Sequence, residues 1–312
     1  MIEIFLKTLP FFLLIGVGYG AAATRFFTES ASAALTRFVF YFALPAMLFR
    51  FSANLSFGEV FDLRFVSAYF AATLLVYVIT TMVALWRRIS VAEAAVEAQC
   101  GAIGNIGFLG IPMFALIMGE AAVGYIMVML AVDLLFFGSL IVILITGSKE
   151  RLSWRVFRTV GHGLITNPML VAIFLGFSWS AMEWTLPDPV NEFVFYLGGA
   201  ATPCALFAIG ASLAGKSAER MSAAAWLSFV KLVLHPGAIA IAALLIWPIE
   251  AYAAAVMIAS AALPTAGNIY ILAQHYGVAP QRVSATILIS TVASVVTVSL
   301  ILAWLAENVP FQ

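Results

Sequence analysis

The sequence predicts an all-α protein that crosses a membrane many times. Hydrophobic residues make up 64% of the 312 residues and charged residues 10%, against about 45–50% and about 25% in soluble domains. The apolar residues fall into ten stretches of roughly 20 residues, the length that a bilayer requires. Two of these stretches are interrupted by Gly, Asn and Pro, at 104–112 and 263–268. We therefore expect ten transmembrane helices, of which the fourth and the ninth are broken.

The ten predicted spans follow one another with short connections. Their approximate limits are 4–24, 31–49, 65–86, 93–118, 121–146, 159–181, 191–214, 222–247, 250–275 and 281–305. The first span lacks the basic n-region of a signal peptide, because Glu3 precedes Lys7, and it is interpreted as a membrane helix. A charged connection at 149–158 divides the chain into 1–148 and 159–312.

Basic residues are distributed unevenly between alternate connections. Of the 15 Lys and Arg residues, three fall on one side of the membrane, namely Lys7, Arg50 and Arg64, and the others fall on the opposite side. Because cytoplasmic connections carry the excess of Lys and Arg, the richer side is predicted to be cytoplasmic. Both termini are then expected to face the periplasm or the extracellular side.

Composition argues against several classes of function. The formal net charge is zero and no basic run is interleaved with aromatic residues, so nucleic acid is not an expected partner. Cys100 and Cys204 have no metal-type spacing, and no metal or other cofactor is predicted. An intramembrane enzyme needs a nucleophile with a base, or paired carboxylates, whereas Asp133 alone lies clearly at membrane depth. The chain is not predicted to be an enzyme.

The two halves of the chain repeat each other. The interval between Pro10 and Pro45 equals that between Pro168 and Pro203. A Phe-Val-Phe-Tyr run precedes the second proline of each pair. Because each half has an odd number of spans, five, the second half must be inverted in the membrane relative to the first. Inverted repeats with broken helices at corresponding positions are typical of secondary transporters.

The broken spans carry matching Gly-Asn-Ile sequences around Asn105 and Asn268. A break in mid-membrane begins a new half-helix, whose free N–H groups and dipole attract an anion. The Asn side chains add amide donors at the same place. Two alternatives are weighed: the breaks are kinks that serve packing alone, or the chain is a cation/proton antiporter. The second is disfavoured because such sites generally use carboxylates, whereas these breaks carry asparagines.

Four stretches carry a resemblance to a known family. They are Gly-Asn-Ile-Gly-Phe-Leu-Gly-Ile-Pro at 104–112, Leu-Phe-Ala-Ile-Gly-Ala-Ser-Leu at 206–213, Lys-Leu-Val-Leu-His-Pro at 231–236 and Leu-Pro-Thr-Ala-Gly-Asn at 263–268. With them the chain resembles the auxin efflux carrier family, as a bacterial relative of the plant PIN-type carriers. The resemblance implies a dimerising scaffold of spans 1, 2, 6 and 7. It also implies a transport domain of spans 3–5 and 8–10, which moves against the scaffold as an elevator.

The resemblance also implies a substrate site where spans 4 and 9 cross, at Pro112 and Pro264. In the plant carriers, asparagines beside the crossover prolines bind the substrate carboxylate, and by position Asn105 and Asn268 inherit that role, with Gly107 in the same site. Neither asparagine is adjacent to its proline here, which argues against auxin. Bacterial relatives are associated with malonate and malate. A small mono- or dicarboxylate is therefore the expected substrate, carried across the bacterial inner membrane by a homodimer.

Two ionisable residues inside the spans have open roles. Asp133 either takes up a proton or helps to hold sodium during transport, or it forms a structural pair with Lys231. Lys231 either extends its side chain to the cytoplasmic face or reaches the substrate cavity and balances its charge.

Two further pairs are left open by the sequence. Glu97 and Gln99, early in span 4, face either the cavity or a neighbouring helix. Gly16 and Gly20 have the spacing that permits close helix contact, within one subunit or between two.

Overall fold

A computed structural model describes residues 2–55, 61–149, 154–214 and 221–309, and this part of the chain consists of helices joined by short connections, without strands. Its helices, numbered here in chain order, are α1 (Ile2–Ala23), α2 (Glu29–Ala53), α3 (Leu63–Trp86), α4 (Val91–Ala102), α5 (Ile106–Ile117), α6 (Ala121–Ser148), α7 (Trp154–Ile165), α8 (Pro168–Ala181), α9 (Asp188–Leu213), α10 (Met221–Ile246), α11 (Ala251–Ala261), α12 (Asn268–Tyr276) and α13 (Pro280–Asn308).

Six of these helices are long and apolar enough to cross a membrane: α2, α3, α6, α9, α10 and α13. A seventh span is added if α7 and α8, bent by 55°, are taken together. Large apolar side chains such as Phe174 and Leu245 are exposed on the outside, as a lipid-facing surface requires. The prediction of an all-helical, multi-pass membrane protein is confirmed, whereas the number of ten spans in inverted repeats stays a prediction.

Three of the predicted spans consist of two helices each. Span 4 is α4 and α5, separated at 103–105, and span 9 is α11 and α12, separated at 262–267. The sequence indicates both of these breaks. It does not indicate the bend between α7 and α8, where Asn167 Oδ1 accepts a hydrogen bond of 3.0 Å from the Met169 amide and caps α8. Helix α7 begins at Trp154, inside the connection predicted at 149–158, of which 150–153 lie outside the described residues.

Wide π-helical turns precede three prolines within helices, at Val39–Ala43, Ile106–Gly110 and Val230–Leu234. Proline lacks an amide hydrogen, and its ring collides with the carbonyl one turn earlier. The wider turn relieves that collision, and the helix continues with only a local change of its hydrogen bonds. Pro112 is one of these prolines, and it lies near the start of the α-helical turn Ile111–Ile117 rather than in a break.

Helices α1 and α9 approach each other at two glycines. A Cβ on Gly18 would overlap the backbone oxygen of Phe207, and a Cβ on Gly210 would overlap that of Ile15. The contact is therefore reciprocal, with one glycine from each helix against the backbone of the other. Glycines allow this approach because backbones without side chains pack at short distance.

Helix α2 is held in the same way by the second half of the chain. Gly176 of α8 lies against Ser52, and Gly198 of α9 lies against Met47. The Gly16 and Gly20 pair of α1 has no atom within 4 Å of either Cβ position. The close contact within the chain is thus made by Gly18, and the predicted GxxxG pair faces outward.

Candidate functional site

The two breaks cross each other and pair their backbones. The Asn105 amide donates to the Pro264 carbonyl at 2.8 Å, and the Ala266 amide donates to the Ile103 carbonyl at 3.2 Å. Gly104 thereby faces Thr265 in an antiparallel bridge. Backbone groups that are freed inside a membrane must find partners in the protein. Here each break supplies those partners to the other, so their positions are fixed together.

Side chains of neighbouring helices complete the crossing. The Thr265 amide donates to Ser290 Oγ of α13 at 3.2 Å, and Thr265 Oγ1 donates to the Cys100 carbonyl of α4 at 2.9 Å. Thr265 is 1% exposed and Ser290 0%. These hydroxyls therefore satisfy polar backbone groups where water has little access.

Four backbone amides beside the crossing have no hydrogen-bond partner in the described part of the chain. The amides of Gly107 and Phe108, at the start of α5, have no hydrogen-bond acceptor among the described residues, and neither do those of Gly267 and Asn268, at the start of α12. The first amides of a helix have no partner within it, and they concentrate the positive end of the helix dipole. Two such ends at one crossing make a place where an anion is stabilised.

A small cavity of about 60 Å³ lies beside these amides, room for a few water molecules and below the roughly 300–1,000 Å³ of drug-sized ligand sites. Asn105 and Asn268 both line it, and neither side-chain amide is hydrogen-bonded to a described residue. The other residues of its wall are Gln99, Ile103, Gly104, Gly107, Phe108, Leu130, Asp133, Leu134, Gly138, Met169 and Ala266. Among the described residues no cluster of His, Cys, Asp or Glu has the arrangement of a metal site.

The structure corrects one part of the predicted crossing. The crossing was expected at Pro112 and Pro264, and Pro264 does contribute its carbonyl to it. Pro112 does not belong to the crossing, because the first break ends at Asn105 and helical structure resumes at Ile106. Nor does Pro112 line the cavity. Gly104, rather than the proline, lies in the interruption, and the wide turn follows it.

Asp133 faces the cavity from the middle of α6. Its Oδ1 accepts a hydrogen bond of 2.7 Å from the Tyr69 hydroxyl of α3. Its Oδ2 is buried and has no hydrogen-bond partner among the described residues. Asp133 and Lys231 form no ion pair within the 4.0 Å that defines one, so the predicted structural pair is not formed.

Lys231 is completely buried beside the crossing rather than extended to the cytoplasmic face. Its Nζ donates to the Ala261 carbonyl, the last of α11, and lies 2.9 Å from His235 Nδ1. A Cβ on Gly104 would be 3.2 Å from that Nζ. The ammonium therefore lies at the negative end of the α11 dipole, where a cation is stabilised. Lys231 is therefore not extended to the cytoplasmic face, and although it is absent from the cavity wall, its role in balancing charge at the cavity stays a prediction.

Gln99 belongs to the cavity wall, and its buried Oε1 has no partner among the described residues. The sequence left open whether Gln99 or Glu97 faces the cavity. The two residues could be told apart only if one polar face marked the orientation of α4. No such face is visible in the sequence, because the helix has apolar surroundings on every side.

Glu97 instead joins three helices near the start of α4. Its Oε1 accepts from Arg282 Nη1 of α13 at 2.6 Å, and its Oε2 accepts from Arg87 Nη1 at the end of α3 at 2.7 Å. Arg282 Nη2 also lies 3.2 Å from Glu93 Oε1. Glu93 forms a capping box with Ser90 that fixes the start of α4. This cluster ties the helix that leads into the first break to α13, which supports the second.

Comparison with known proteins identifies the family of the chain. The family model described as "Membrane transport protein" matches residues 3–302. A protein of Rhizobium meliloti (strain 1021) named "Putative malonate transporter" is 33% identical over 304 residues, covering 96% of this chain and 95% of that protein. "Probable auxin efflux carrier component 5a" of Oryza sativa subsp. japonica is 22% identical over 340 residues, covering 92% of each chain. The chain belongs to the auxin efflux carrier family of membrane transport proteins.

Proposed function

We propose that this protein carries a small organic anion, a mono- or dicarboxylate such as malonate or malate, across the bacterial inner membrane. The observation that carries the proposal is the cavity at the crossing, with two helix N-termini and two unbonded asparagine amides around it. Each helix N-terminus acts as about half a positive charge. A carboxylate in the cavity accepts hydrogen bonds from donors that have no partner among the described residues.

The same wall argues against a cation as the main substrate. Asp133 is the single carboxylate among the described residues that line the cavity. A cation/proton antiporter at this crossing would be expected to place carboxylates at the breaks, where this chain has Asn105 and Asn268. The amide donors and helix dipoles favour negative charge.

The relatives narrow the substrate class. The rhizobial protein is named for malonate and the rice protein for auxin, and the former shares more of its sequence with this chain. Malonate is therefore the first compound to test. Auxin is expected to bind more weakly, because neither asparagine is adjacent to proline as in the plant carriers.

The packing supports a scaffold and a moving transport domain. The reciprocal glycine contacts join α1, α2, α8 and α9, the proposed scaffold together with α7. The proposed transport domain comprises α3–α6 and α10–α13, which hold the crossing. Met169 of α8 lines the cavity opposite these helices. Substrate would therefore bind where the two groups meet, as an elevator movement requires.

We also propose how the spans, the termini and the subunits are arranged. Ten spans form two inverted repeats, so that α4 with α5 corresponds to α11 with α12. Both termini face the periplasm or the extracellular side, and the scaffold helices form a homodimer. Coupling to protons or sodium is compatible with this arrangement.

Binding of radiolabelled malonate, malate and auxin to the purified protein tests the site. Asn105→Ala and Asn268→Ala each remove a donor to a charged ligand, a hydrogen bond of about 1.5–3 kcal/mol. Each change should weaken malonate binding about tenfold to a hundredfold. Asn54→Ala is the matched control, because the exposed Asn54 side chain donates to the Arg50 carbonyl and does not line the cavity. If malonate binds and neither variant weakens it more than the control, the assigned site is wrong.

A further inference from the structure

We infer that Asp133 holds a proton whenever an anion occupies the crossing cavity, so that each anion binds together with one proton. The inference rests on the proposed function and adds to it the co-transported ion. It comes from the position of one oxygen atom, Asp133 Oδ2, and from the charges around it.

The two oxygens of Asp133 have different surroundings. Asp133 lines the cavity; its Oδ1 accepts from the Tyr69 hydroxyl, whereas its Oδ2 is buried and has no donor among the described residues. Asp133 is 3% exposed. An ionised carboxylate only accepts hydrogen bonds, and buried ones are usually surrounded by donors. A protonated carboxylic acid needs an acceptor, and Oδ2 is the oxygen free to carry that proton toward a ligand.

An anion in the cavity supplies the acceptor. If Asp133 were ionised, two negative charges would share a small space of low dielectric, where their repulsion is strong. With a proton on Oδ2, the same contact becomes an O–H donor to the ligand carboxylate. The proton is taken from solution as the anion binds and is returned when the anion leaves. No covalent bond of the anion changes.

The neighbouring ionisable groups do not offer Asp133 a bonded counter-ion. Tyr69 of α3 donates its hydroxyl to Oδ1. From α10, Lys231 is bonded to the Ala261 carbonyl and lies beside His235, which in turn meets Thr73 Oγ1 at 3.1 Å.

The other described residues of the cavity wall add no ionised side chain. Helix α4 contributes Gln99, α8 contributes Met169 and α12 contributes Asn268. Glu97 of α4 is directed to Arg87 and Arg282 instead. Among the described residues that line the cavity, Asp133 is therefore the one whose side chain can gain or lose a charge.

The inference is tested by counting protons. Malonate binding to the whole purified protein is measured by calorimetry at one pH in phosphate and in Tris, two buffers with different ionisation enthalpies. The difference in apparent enthalpy gives the number of protons taken up. The wild type should take up about one proton per malonate at pH values above the titration of Asp133, because one group changes its protonation. Asp133→Asn should take up close to none, and it also corrects for protons bound by malonate itself.

The pH dependence of affinity gives a second measure. Above the titration of Asp133, the malonate affinity of the wild type should fall about tenfold for each unit of increasing pH, since one proton binds with the ligand. The affinity of Asp133→Asn should not follow this slope, because an amide does not titrate and its NH₂ group remains a donor.

The outcomes separate this inference from the proposed function. Malonate binding by the wild type without proton uptake would overturn the inference and leave the anion site standing, and sodium-dependent binding would do the same. Equal proton uptake by wild type and Asp133→Asn would also overturn it. If malonate bound at no pH, the proposed function would fall and the inference with it. The two-buffer measurement on the wild type shows whether a proton is taken up with malonate even if Asp133→Asn does not fold.

Discussion

The charge cluster at the start of α4 makes a quantitative prediction about stability. Glu97 and Glu93 lie on the same helix and bond to the same guanidinium, that of Arg282. They differ in burial: the side chain of Glu97 is 1% exposed, and that of Glu93 is 31% exposed. Changing each to Gln removes one negative charge while keeping the shape of the side chain. The two changes therefore compare a buried carboxylate that bonds to two guanidinium groups with a partly exposed one that bonds to one.

Glu97→Gln should be much the more costly change. It leaves Arg282, 4% exposed, with a buried charge and only the longer contact to Glu93. Breaking a buried ion pair from one side costs about 3–5 kcal/mol. A partly exposed pair contributes about 0–1 kcal/mol. Glutamine is also accepted at this position of a capping box, so Glu93→Gln preserves the start of α4.

The assay is the free energy of unfolding of both variants in mixed micelles, with the melting temperature as a second reading. We expect Glu97→Gln to lose about 2–5 kcal/mol more than Glu93→Gln, the difference between the two classes of ion pair. Exchanging both Glu97 and Arg282 for Leu should restore part of that loss, because no unpaired charge then remains buried. Equal losses of unfolding free energy in the two single variants would show that the buried ion pair is not the more costly one to break.

Three further changes test the packing and the site. Gly18→Ala should separate α1 from α9 and lower the melting temperature, whereas Gly16→Ala, in open space on the same helix, should leave it unchanged or raise it. Thr265→Val should lower the free energy of unfolding by about 1–3 kcal/mol, because a buried carbonyl loses its donor, and Thr265→Ser should restore most of it. Tyr69→Phe removes the donor to the ionised Asp133, so the pH midpoint of malonate binding should move upward by about 1–2 units, with an unchanged midpoint counting against the assignment.

The two breaks could be predicted from the sequence because they break local rules. Glycine, asparagine and proline in mid-membrane stand out against apolar neighbours, and Asn105 and Asn268 repeat in matching contexts. The geometry of the crossing could not be predicted. Pro112 is the more conspicuous signal, yet the wide turn before it absorbs its clash, and the interruption falls at 103–105.

The directions of side chains within buried helices could not be predicted from the sequence. Lys231 was expected at the cytoplasmic face or in the cavity, and it bonds instead to the end of α11. Gly18 makes the close contact that the spacing of Gly16 and Gly20 suggested. In helices that are apolar on every side, no polar face marks the orientation, so tertiary packing alone decides it.

Counterflow of radiolabelled malonate in proteoliposomes tests directly whether the helix crossing is the anion site. The assay needs neither a chosen direction nor a coupling gradient, since vesicles loaded with unlabelled malonate exchange it for labelled malonate. The wild type and Asn54→Ala should take up labelled malonate, and the double variant Asn105→Ala with Asn268→Ala should not. Undiminished exchange by a folded double variant would contradict the claim that the helix crossing is the anion site.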